Sequence, residues 1–280
     1  MTYEEAVEWL RSQPEHDEII HQSYLGRDVL EAARRFASSE EMAEVTRLLR
    51  LDSTSGLSVA DVGCGSGIAS YAIAALGHQV YCIDPDPSDQ VGLGAVARLD
   101  GTVPGTIEPR SGFAESLPLH DASVDRVYTR QAMHHFQNLA AGIRECARVL
   151  KPGGLFLGTR EHVVSNEREL QEFLRDHVMQ ALHGQEHAFQ LAEYVDAIEA
   201  AGLKLISVMG RFDNVINYYP GTEWERRIEI MRHIRNRYGA AAAWLVGWMP
   251  CVREYVGRTL SKHDGYPGRL HSFLAVKTRT

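Results

Sequence analysis

The sequence predicts an α/β fold, in which a mostly parallel sheet carries helices on both faces. An apolar run over residues 57–62 is typical of a buried strand. Gly63, Gly65 and Gly67 follow at alternate positions, and a helix is expected to begin at Ile68. Glycines let the backbone turn sharply and let a ligand come close to it, and the free N–H groups at a helix start favour a polar or anionic group. A strand, a glycine turn and a helix in this order form the first unit of a nucleotide-binding α/β fold.

The composition is that of an ordinary globular protein and argues against several classes of function. The 280 residues are enough for one large domain or for a core with a cap. A net charge of −8 argues against a general nucleic-acid binder, because such proteins carry a basic surface. The four cysteines show no C-x-x-C spacing and residues 1–5 show no signal peptide, so we expect reduced thiols and a cytoplasmic location. The longest apolar run, residues 239–251, is too short to span a bilayer, and no membrane span is expected.

The spacing of the glycines separates two nucleotide-binding patterns. The dinucleotide fingerprint requires G-x-G-x-x-G, whereas residues 61–67 have the form D-x-G-x-G-x-G. An NAD-dependent oxidoreductase is therefore disfavoured. Asp84 ends the second predicted strand, residues 79–83, and lies 21 positions after Gly63. Its carboxylate can accept hydrogen bonds from both hydroxyls of a ribose, the role that an acidic residue takes at this place. The alternative is a cap for the turn that begins at Pro85.

Later segments of the chain extend the predicted sheet. Further strands, the fourth to the seventh of the sheet, are predicted at residues 124–128, 155–159, 203–209 and 271–276. An amphipathic helix over residues 139–150 lies between the fourth and fifth strands. Ligands of open α/β sheets bind beyond the carboxyl ends of the strands. The segment 129–136, which follows the fourth strand and contains His134 and His135, is therefore expected near the ligand.

Four segments together resemble the motifs of the class I S-adenosylmethionine-dependent methyltransferases. They are D-V-G-C-G-S-G at 61–67, S-G-F-A-E-S-L-P-L at 111–119, M-H-H at 133–135 and R-V-L-K-P-G-G-L at 148–155. The resemblance covers about residues 57–160, and the motif residues are similar to those of the ubiquinone/menaquinone methyltransferase subgroup. It implies a Rossmann-like, seven-stranded and mostly parallel sheet with one antiparallel strand. It also implies S-adenosylmethionine as cofactor and S-adenosylhomocysteine as product.

The same resemblance implies which residues contact the cofactor. Phe113 stands where the family has Asp, so its ring is expected to pack on the adenine while the N–H of Ala114 bonds a ring nitrogen. The residues expected to contact the cofactor are Asp61, Gly63, Cys64, Gly65, Gly67, Asp84, Pro85, Phe113, Ala114, Glu115, Arg130 and Gln131.

Three histidines are candidates for a general base. His134 and His135 are adjacent and point in different directions, so at most one is expected to face the cofactor; either is also explained as a structural hydrogen-bonding group. His162 follows the fifth predicted strand, together with Arg160 and Glu161. Ionisable groups at that edge favour substrate contact, with solvated loop charges as the alternative. The residues expected to contact the substrate are Tyr24, Arg160, Glu161, His162, Asn217, Tyr218 and Tyr219. No third ligand at a suitable spacing accompanies the adjacent pair, so no metal site is expected.

Helical segments are predicted around the core. We expect an N-terminal helical cap segment over 1–50, the methyltransferase core over 51–210 and 271–280, and a helical insertion over 211–270 that covers the substrate. The insertion contains Arg226, Arg227, Arg232 and Arg235. These arginines form a solvated helix face or hold an anionic group of the substrate, such as a phosphate or carboxylate.

The expected function is methyl transfer to the oxygen or nitrogen of a small-molecule acceptor, by in-line attack on the sulfonium methyl. The positive charge on sulfur already activates the leaving group, so the protein mainly positions the reactants and excludes water. C-methylation of a quinone-like or other small acceptor is one alternative, and a non-catalytic, cofactor-binding partner subunit is another. A monomer or homodimer without a nucleic-acid partner is expected.

Overall fold

A central sheet organises the protein, and the computed structural model describes residues 1–99 and 101–278 of it. The strands are β1 Ser58–Val62, β2 Gln79–Asp84, β3 Thr106–Ser111, β4 Val124–Arg130, β5 Leu150–Val164, β6 Phe189–Gln190, β7 Leu203–Met209 and β8 Arg269–Lys277. Their order is β3-β2-β1-β4-β5-β8-β7, and the two-residue β6 pairs with β5 away from this path. β8 runs antiparallel to both of its neighbours, whereas the other described pairs are parallel. The predicted, mostly parallel sheet with one antiparallel strand is confirmed, and β6 adds an eighth strand.

Helices cover both faces of this sheet. They are α1 Tyr3–Arg11, α2 Asp17–Gln22, α3 Val29–Ala37, α4 Glu40–Leu49, α5 Ile68–Ala75, α6 Leu93–Val96, α7 Leu139–Val149, α8 Glu167–Asp176, α9 Val178–Leu182, α10 Leu191–Ala200, α11 Glu223–Tyr238, α12 Ala240–Gly247 and α13 Pro250–Lys262. Short 3₁₀ turns lie at Pro14–His16, Met133–His135 and Val215–Asn217. Helix α4 begins directly after Ser39, whose hydroxyl accepts the N–H of Met42.

The core consists of two apolar layers, one on each face of the sheet. Successive residues of a strand point to opposite faces. On β4, Tyr128 accordingly belongs to the layer that contains Phe36 of α3, and Val127 belongs to the layer that contains Ile143 of α7. Burial of both faces is the arrangement expected of a parallel sheet. The carboxyl ends of β1, β2 and β4 are left as the edge where a ligand can bind.

The end of β5 differs from the predicted one. β5 continues from the predicted end at Thr159 to Val164, because β8 pairs with this extension at Glu161–His271 through Val163–Arg269. Helix α10 begins at Leu191, directly after β6. α12 and α13 are separate helices, because Pro250 has no N–H to continue a helix and is favoured in a first turn.

Within the insertion, residues 211–270, helices α11, α12 and α13 form a small apolar cluster with Phe212. Phe212, Ile230, Ile234 and Ala243 are its buried centre. Arg226 is buried and donates to the carbonyl of Phe212, while both Arg226 and Arg227 form ion pairs with Glu223. No helix of the described residues is both long and apolar enough to cross a membrane.

Candidate functional site

The glycine turn lies between β1 and α5, at the carboxyl edge of the sheet. Gly63, Gly65 and Gly67 have φ angles of 73°, 52° and 79°, which L side chains rarely adopt. The N–H of Gly63 donates to the carbonyl of Ile83 at 2.8 Å. A Cβ atom at Gly63 would lie 2.5 Å from the Cβ of Ala132, so the turn packs directly against the segment that follows β4. The residue at this position must therefore be glycine for steric as well as conformational reasons.

Asp84 lies at the end of β2, beside the glycine turn. Its Oδ2 accepts the N–H of Gly65 at 2.8 Å, and its Oδ1 accepts the N–H of Asp86 at 2.9 Å. The residue is 9% exposed, and burial raises the pKa of its carboxyl while these two N–H groups oppose the rise. The two hydrogen bonds fix the orientation of the carboxylate, and each oxygen retains a lone pair for a further donor.

Two adjoining cavities open at this edge. We call the first, of about 410 Å³, the cofactor cleft, and the second, of about 260 Å³, the inner cavity. Gly63, Gly65, Gln131 and His135 line both, so the two cavities share part of their walls. The cleft is also lined by five other residues expected to contact the cofactor, namely Asp84, Pro85, Phe113, Ala114 and Glu115. The inner cavity is also lined by three such residues, namely Asp61, Cys64 and Arg130. Gly67 lines neither and instead caps α5.

Two charged residues expected at the cofactor are bonded to the protein itself. Arg130 forms a two-pronged ion pair with the buried carboxylate of Glu41, at 2.7 and 3.1 Å. Asp61 is 1% exposed, and its Oδ2 accepts a hydrogen bond from the hydroxyl of Ser70 at 2.7 Å. Burial raises the pKa of Asp61 to about 7. Both side chains border the inner cavity while they stabilise the walls around it.

His134 is held by a buried carboxylate. Its Nδ1 hydrogen-bonds Oε2 of Glu161 at 2.8 Å, and Glu161 also accepts the N–H groups of Ala132, Met133 and His134. Burial lowers the pKa of His134 to about 3, so the ring is neutral at pH 7. A neutral ring that donates from Nδ1 has its lone pair on Nε2.

His135 and His162 are fixed in the same way. Nδ1 of His135 donates to the carbonyl of Gln185 at 3.1 Å, and Nδ1 of His162 donates to the carbonyl of Gly268 at 2.9 Å. Burial lowers the pKa of His162 to about 3 and that of His135 to about 4. All three imidazoles border the inner cavity, neutral and with Nε2 free of these hydrogen bonds. They can accept a proton or bind a metal ion, although their low pKa values make them weak bases.

Comparison with known proteins decides the family. The family described as methyltransferase domain matches residues 60–158. A ubiquinone biosynthesis O-methyltransferase of Xanthomonas axonopodis pv. citri is 32% identical over 193 residues, which cover 67% of this chain and 76% of that protein. The chain belongs to the class I S-adenosylmethionine-dependent methyltransferases. The cofactor of this methyltransferase is accordingly S-adenosylmethionine, as the sequence motifs implied.

Other relatives match shorter segments or the fold alone. A probable S-adenosylmethionine-dependent methyltransferase of Mycolicibacterium smegmatis is 31% identical over 157 residues, which cover 56% of each chain. The methyltransferase spans about half the length of the first curated relatives that it matches, between 45% and 65% of each. The crystal structure of the cyclase SpnF superposes with a TM-score of 0.57 at 21% identity and covers 89% of this chain and 82% of its own. This likeness shows the fold.

Several residues expected to contact the substrate instead stabilise the methyltransferase internally. Arg160 is buried and donates to the carbonyls of Ile216 and Tyr219 at 2.8 and 3.2 Å. Arg160, Glu161 and His162 were expected just past the fifth strand, but they lie inside it because β5 is longer than predicted. His162 alone of these three lines the inner cavity.

The aromatic segment at the start of the insertion also packs inward. Asn217 is buried and donates to the carbonyl of Met209, and Tyr218 hydrogen-bonds Glu229. Tyr219 stacks on Tyr24 with the ring centroids 5.4 Å apart, and Tyr24 borders the inner cavity. Among the described residues, none from 211–270 lines the cleft or the inner cavity. The role of the insertion as a substrate cap stays a prediction.

One wall of the site was hardly indicated by the sequence motifs. Tyr3 of α1 and the segment 177–186 around α9 line the cavities, including His177, Gln185 and Glu186. The only sequence signal for the second segment was its richness in histidine, which is also typical of a surface loop. Glu186 places a third potential metal ligand beside His134 and His135, which corrects the expectation that the adjacent pair has none.

Proposed function

We propose that the chain transfers the methyl group of S-adenosylmethionine to an oxygen or nitrogen of a small-molecule acceptor. The observation that carries the proposal is that the two cavities adjoin and share part of their walls. The cleft presents the glycine turn and Asp84, and the inner cavity, which shares His135 with it, offers room for an acceptor. S-adenosylmethionine supplies a methyl group on a positively charged sulfur when bound.

The residues of the cleft suit a nucleoside. The oriented carboxylate of Asp84 can accept hydrogen bonds from two hydroxyl groups. The turn at Gly63 and Gly65 exposes backbone that no side chain covers. Phe113 is 52% exposed although it is a large apolar side chain, and it lines the cleft. We infer that this ring, which stands where the family has Asp, covers the adenine. Ala114 and Glu115 would then border the adenine.

The residues of the inner cavity would orient the acceptor and receive its proton. In-line transfer forms a bond from the acceptor oxygen or nitrogen to the methyl carbon and breaks the carbon–sulfur bond, whose electron pair stays on sulfur. The proton of the acceptor goes to an unprotonated Nε2 of His135, His134 or His162 or to water. Because these rings are weak bases, positioning and exclusion of water are expected to supply most of the rate acceleration.

Calorimetric titration of S-adenosylmethionine and S-adenosylhomocysteine, followed by a screen of phenolic, amine and quinol acceptors with methyl-labelled cofactor, tests this function. Micromolar binding of both ligands and label in an O- or N-methylated product support it. Label on carbon would instead favour the C-methylation alternative. Binding without transfer to any acceptor, together with an obligate partner protein, would favour the partner-subunit alternative. Absence of binding would overturn the proposal.

A further inference from the structure

Three side chains beside the inner cavity converge on one point. Nε2 of His134 lies 3.8 Å from Oε2 of Glu186, and Nε2 of His135 lies 3.9 Å from the same oxygen. The three potential ligand atoms all lie within 4.8 Å of one another. The two N···O separations are too long for hydrogen bonds. Two atoms that each bind one ion at roughly 2.0–2.2 Å can lie up to about 4.4 Å apart, so both separations fit a shared ion.

The hydrogen bonds on the far side of the rings prepare both imidazoles as ligands. Nδ1 of His134 donates to Glu161, and Nδ1 of His135 donates to the carbonyl of Gln185. Both lone pairs therefore lie on the nitrogen nearer to Glu186. A carboxylate or carbonyl behind a ligating histidine is the usual arrangement in metal sites, because it fixes the tautomer and the ring orientation. Glu161 is itself held by three backbone N–H groups, which makes the support rigid.

Within the described residues, no lysine or arginine side chain forms an ion pair with the buried carboxylate of Glu186. Its side chain is 6% exposed, and its ion-pair contacts within the described residues are with imidazoles alone. A buried carboxylate without a cation is unfavourable. Nδ1 of His177 lies 4.0 Å from Oε1 of Glu186, and this nitrogen is buried with no hydrogen-bond partner among the described residues. A divalent cation between Glu186 and the two imidazoles of His134 and His135 would compensate the charge of the carboxylate.

We propose that His134, His135 and Glu186 bind one divalent transition-metal ion where the cofactor cleft and the inner cavity adjoin. Imidazole nitrogen and carboxylate oxygen together suit ions such as Zn²⁺, Fe²⁺, Co²⁺ or Ni²⁺. Mg²⁺ is disfavoured, because it prefers an all-oxygen environment and retains its water. Three protein ligands leave a position open, which is the pattern of catalytic rather than purely structural sites.

The open position would face the inner cavity, and its use rests on the proposed function. A hydroxyl group of the acceptor bound there would lose its proton more readily, since a divalent ion stabilises the oxyanion. The O–H bond would break and the proton would pass to Nε2 of His162 or to water. The oxygen would then form its bond to the methyl carbon while the carbon–sulfur bond breaks and leaves its electron pair on sulfur. The inner cavity would thus accept a hydroxylated substrate without needing a strong protein base.

A cobalt titration tests the site independently of any activity. Metal-free protein is titrated with Co²⁺ and followed by the visible absorption that nitrogen–oxygen coordination produces. We expect one ion per chain, with an affinity weakened at least tenfold by Glu186→Gln. Because His135 is partly exposed, His135→Gln is a second variant that spares the buried core, and it should weaken binding likewise. The exposed His120→Gln, remote from the cluster in sequence, is the matched control and should bind as wild type does.

Binding of S-adenosylhomocysteine by the same variants reports that the fold is intact. Equal Co²⁺ affinity in wild type and in both cluster variants, or no stoichiometric binding by folded wild type, would overturn the metal site. If wild type binds Co²⁺ but not S-adenosylhomocysteine, the metal site stands and the proposed function fails. If chelation leaves methyl transfer unchanged, the acceptor-activating role is overturned, whereas a loss restored by added metal supports it.

Discussion

The N–H of Gly65 donates to the carboxylate of Asp84 at 2.8 Å and joins the glycine turn to the end of β2. The parallel register of β1 and β2, which pairs Val62 with Ile83, brings these two segments side by side. The turn and the carboxylate are therefore positioned as one unit by the sheet before any ligand binds. Such preorganisation lowers the entropic cost of binding.

Replacement of Asp84 should weaken cofactor binding. Asp84→Ala removes an acceptor that is oriented by two backbone N–H groups, and loss of hydrogen bonds to a charged group costs about 1–3 kcal/mol, or roughly 5- to 150-fold in Kd. Asp84→Asn retains one acceptor oxygen and should have an intermediate effect. Calorimetric titration of S-adenosylhomocysteine measures both values. Wild-type affinity in Asp84→Ala would exclude the ribose contact.

The exposed ring of Phe113 should contribute to the same affinity through its flat face. Phe113→Leu keeps an apolar side chain but removes the ring, and we expect it to weaken the binding free energy of S-adenosylhomocysteine by about 0.5–1.5 kcal/mol, or roughly 2- to 12-fold in Kd. Phe113→Tyr keeps the ring and is the control. If both variants bind as wild type does, the ring does not cover the adenine.

The steric demand at Gly63 can be separated from its backbone strain. Gly63→Ala places a Cβ 2.5 Å from Ala132 at a φ of 73°, whereas Gly77→Ala has a φ of 86° and open space around the new Cβ. Gly77→Ala should cost only the strain of a left-handed residue, about 1–2 kcal/mol in the free energy of unfolding. Gly63→Ala should cost more and should also abolish ligand binding. Equal losses from urea unfolding, with binding kept, would contradict the close packing of the turn.

The ion pair between Arg130 and Glu41 should affect the free energy of unfolding, because the carboxylate of Glu41 is buried. Arg130→Met leaves Glu41, which is fully buried, without its partner, and breaking a buried pair costs about 3–5 kcal/mol. The double variant Arg130→Met/Glu41→Gln removes both charges and should recover most of that loss. Urea unfolding of the two single variants and the double variant measures the coupling. Additive losses would show that the charges act independently.

The sequence predicted those parts of the site that depend on local patterns. The strand before Gly63, the turn itself and the acidic residue at the end of β2 follow from short motifs at fixed spacing. Three glycines at alternate positions after one strand and a carboxylate at the end of the next together match a nucleotide-binding pattern. The parallel sheet then places these motifs together at one edge.

Long-range contacts could not be predicted from the sequence in the same way. Glu186 meets His134 only because the segment around α9 folds back over the strand ends, and this short helix has no strong periodicity. The extension of β5 beyond Thr159 depends on its pairing with β8, more than 100 residues later in the chain. Since that pairing turned Arg160 and Glu161 into internal groups, their expected contact with substrate could not be assessed from residue type alone.

Asp61 should make the stability of the cofactor-free protein depend on pH. Burial raises its pKa from 3.8 to about 7, so between pH 4 and 7 the folded state holds a proton that the unfolded state has lost. The free energy of unfolding therefore falls as pH rises through this window and levels off above it, by up to about 4 kcal/mol in total. Asp61→Asn cannot titrate, and its unfolding free energy should change less between pH 5 and pH 8 in urea. In Ser70→Ala, the charged form loses the hydroxyl that donates to it, so the decline should extend to higher pH. Parallel pH profiles for wild type and Asp61→Asn would show that Asp61 is ionised throughout this range.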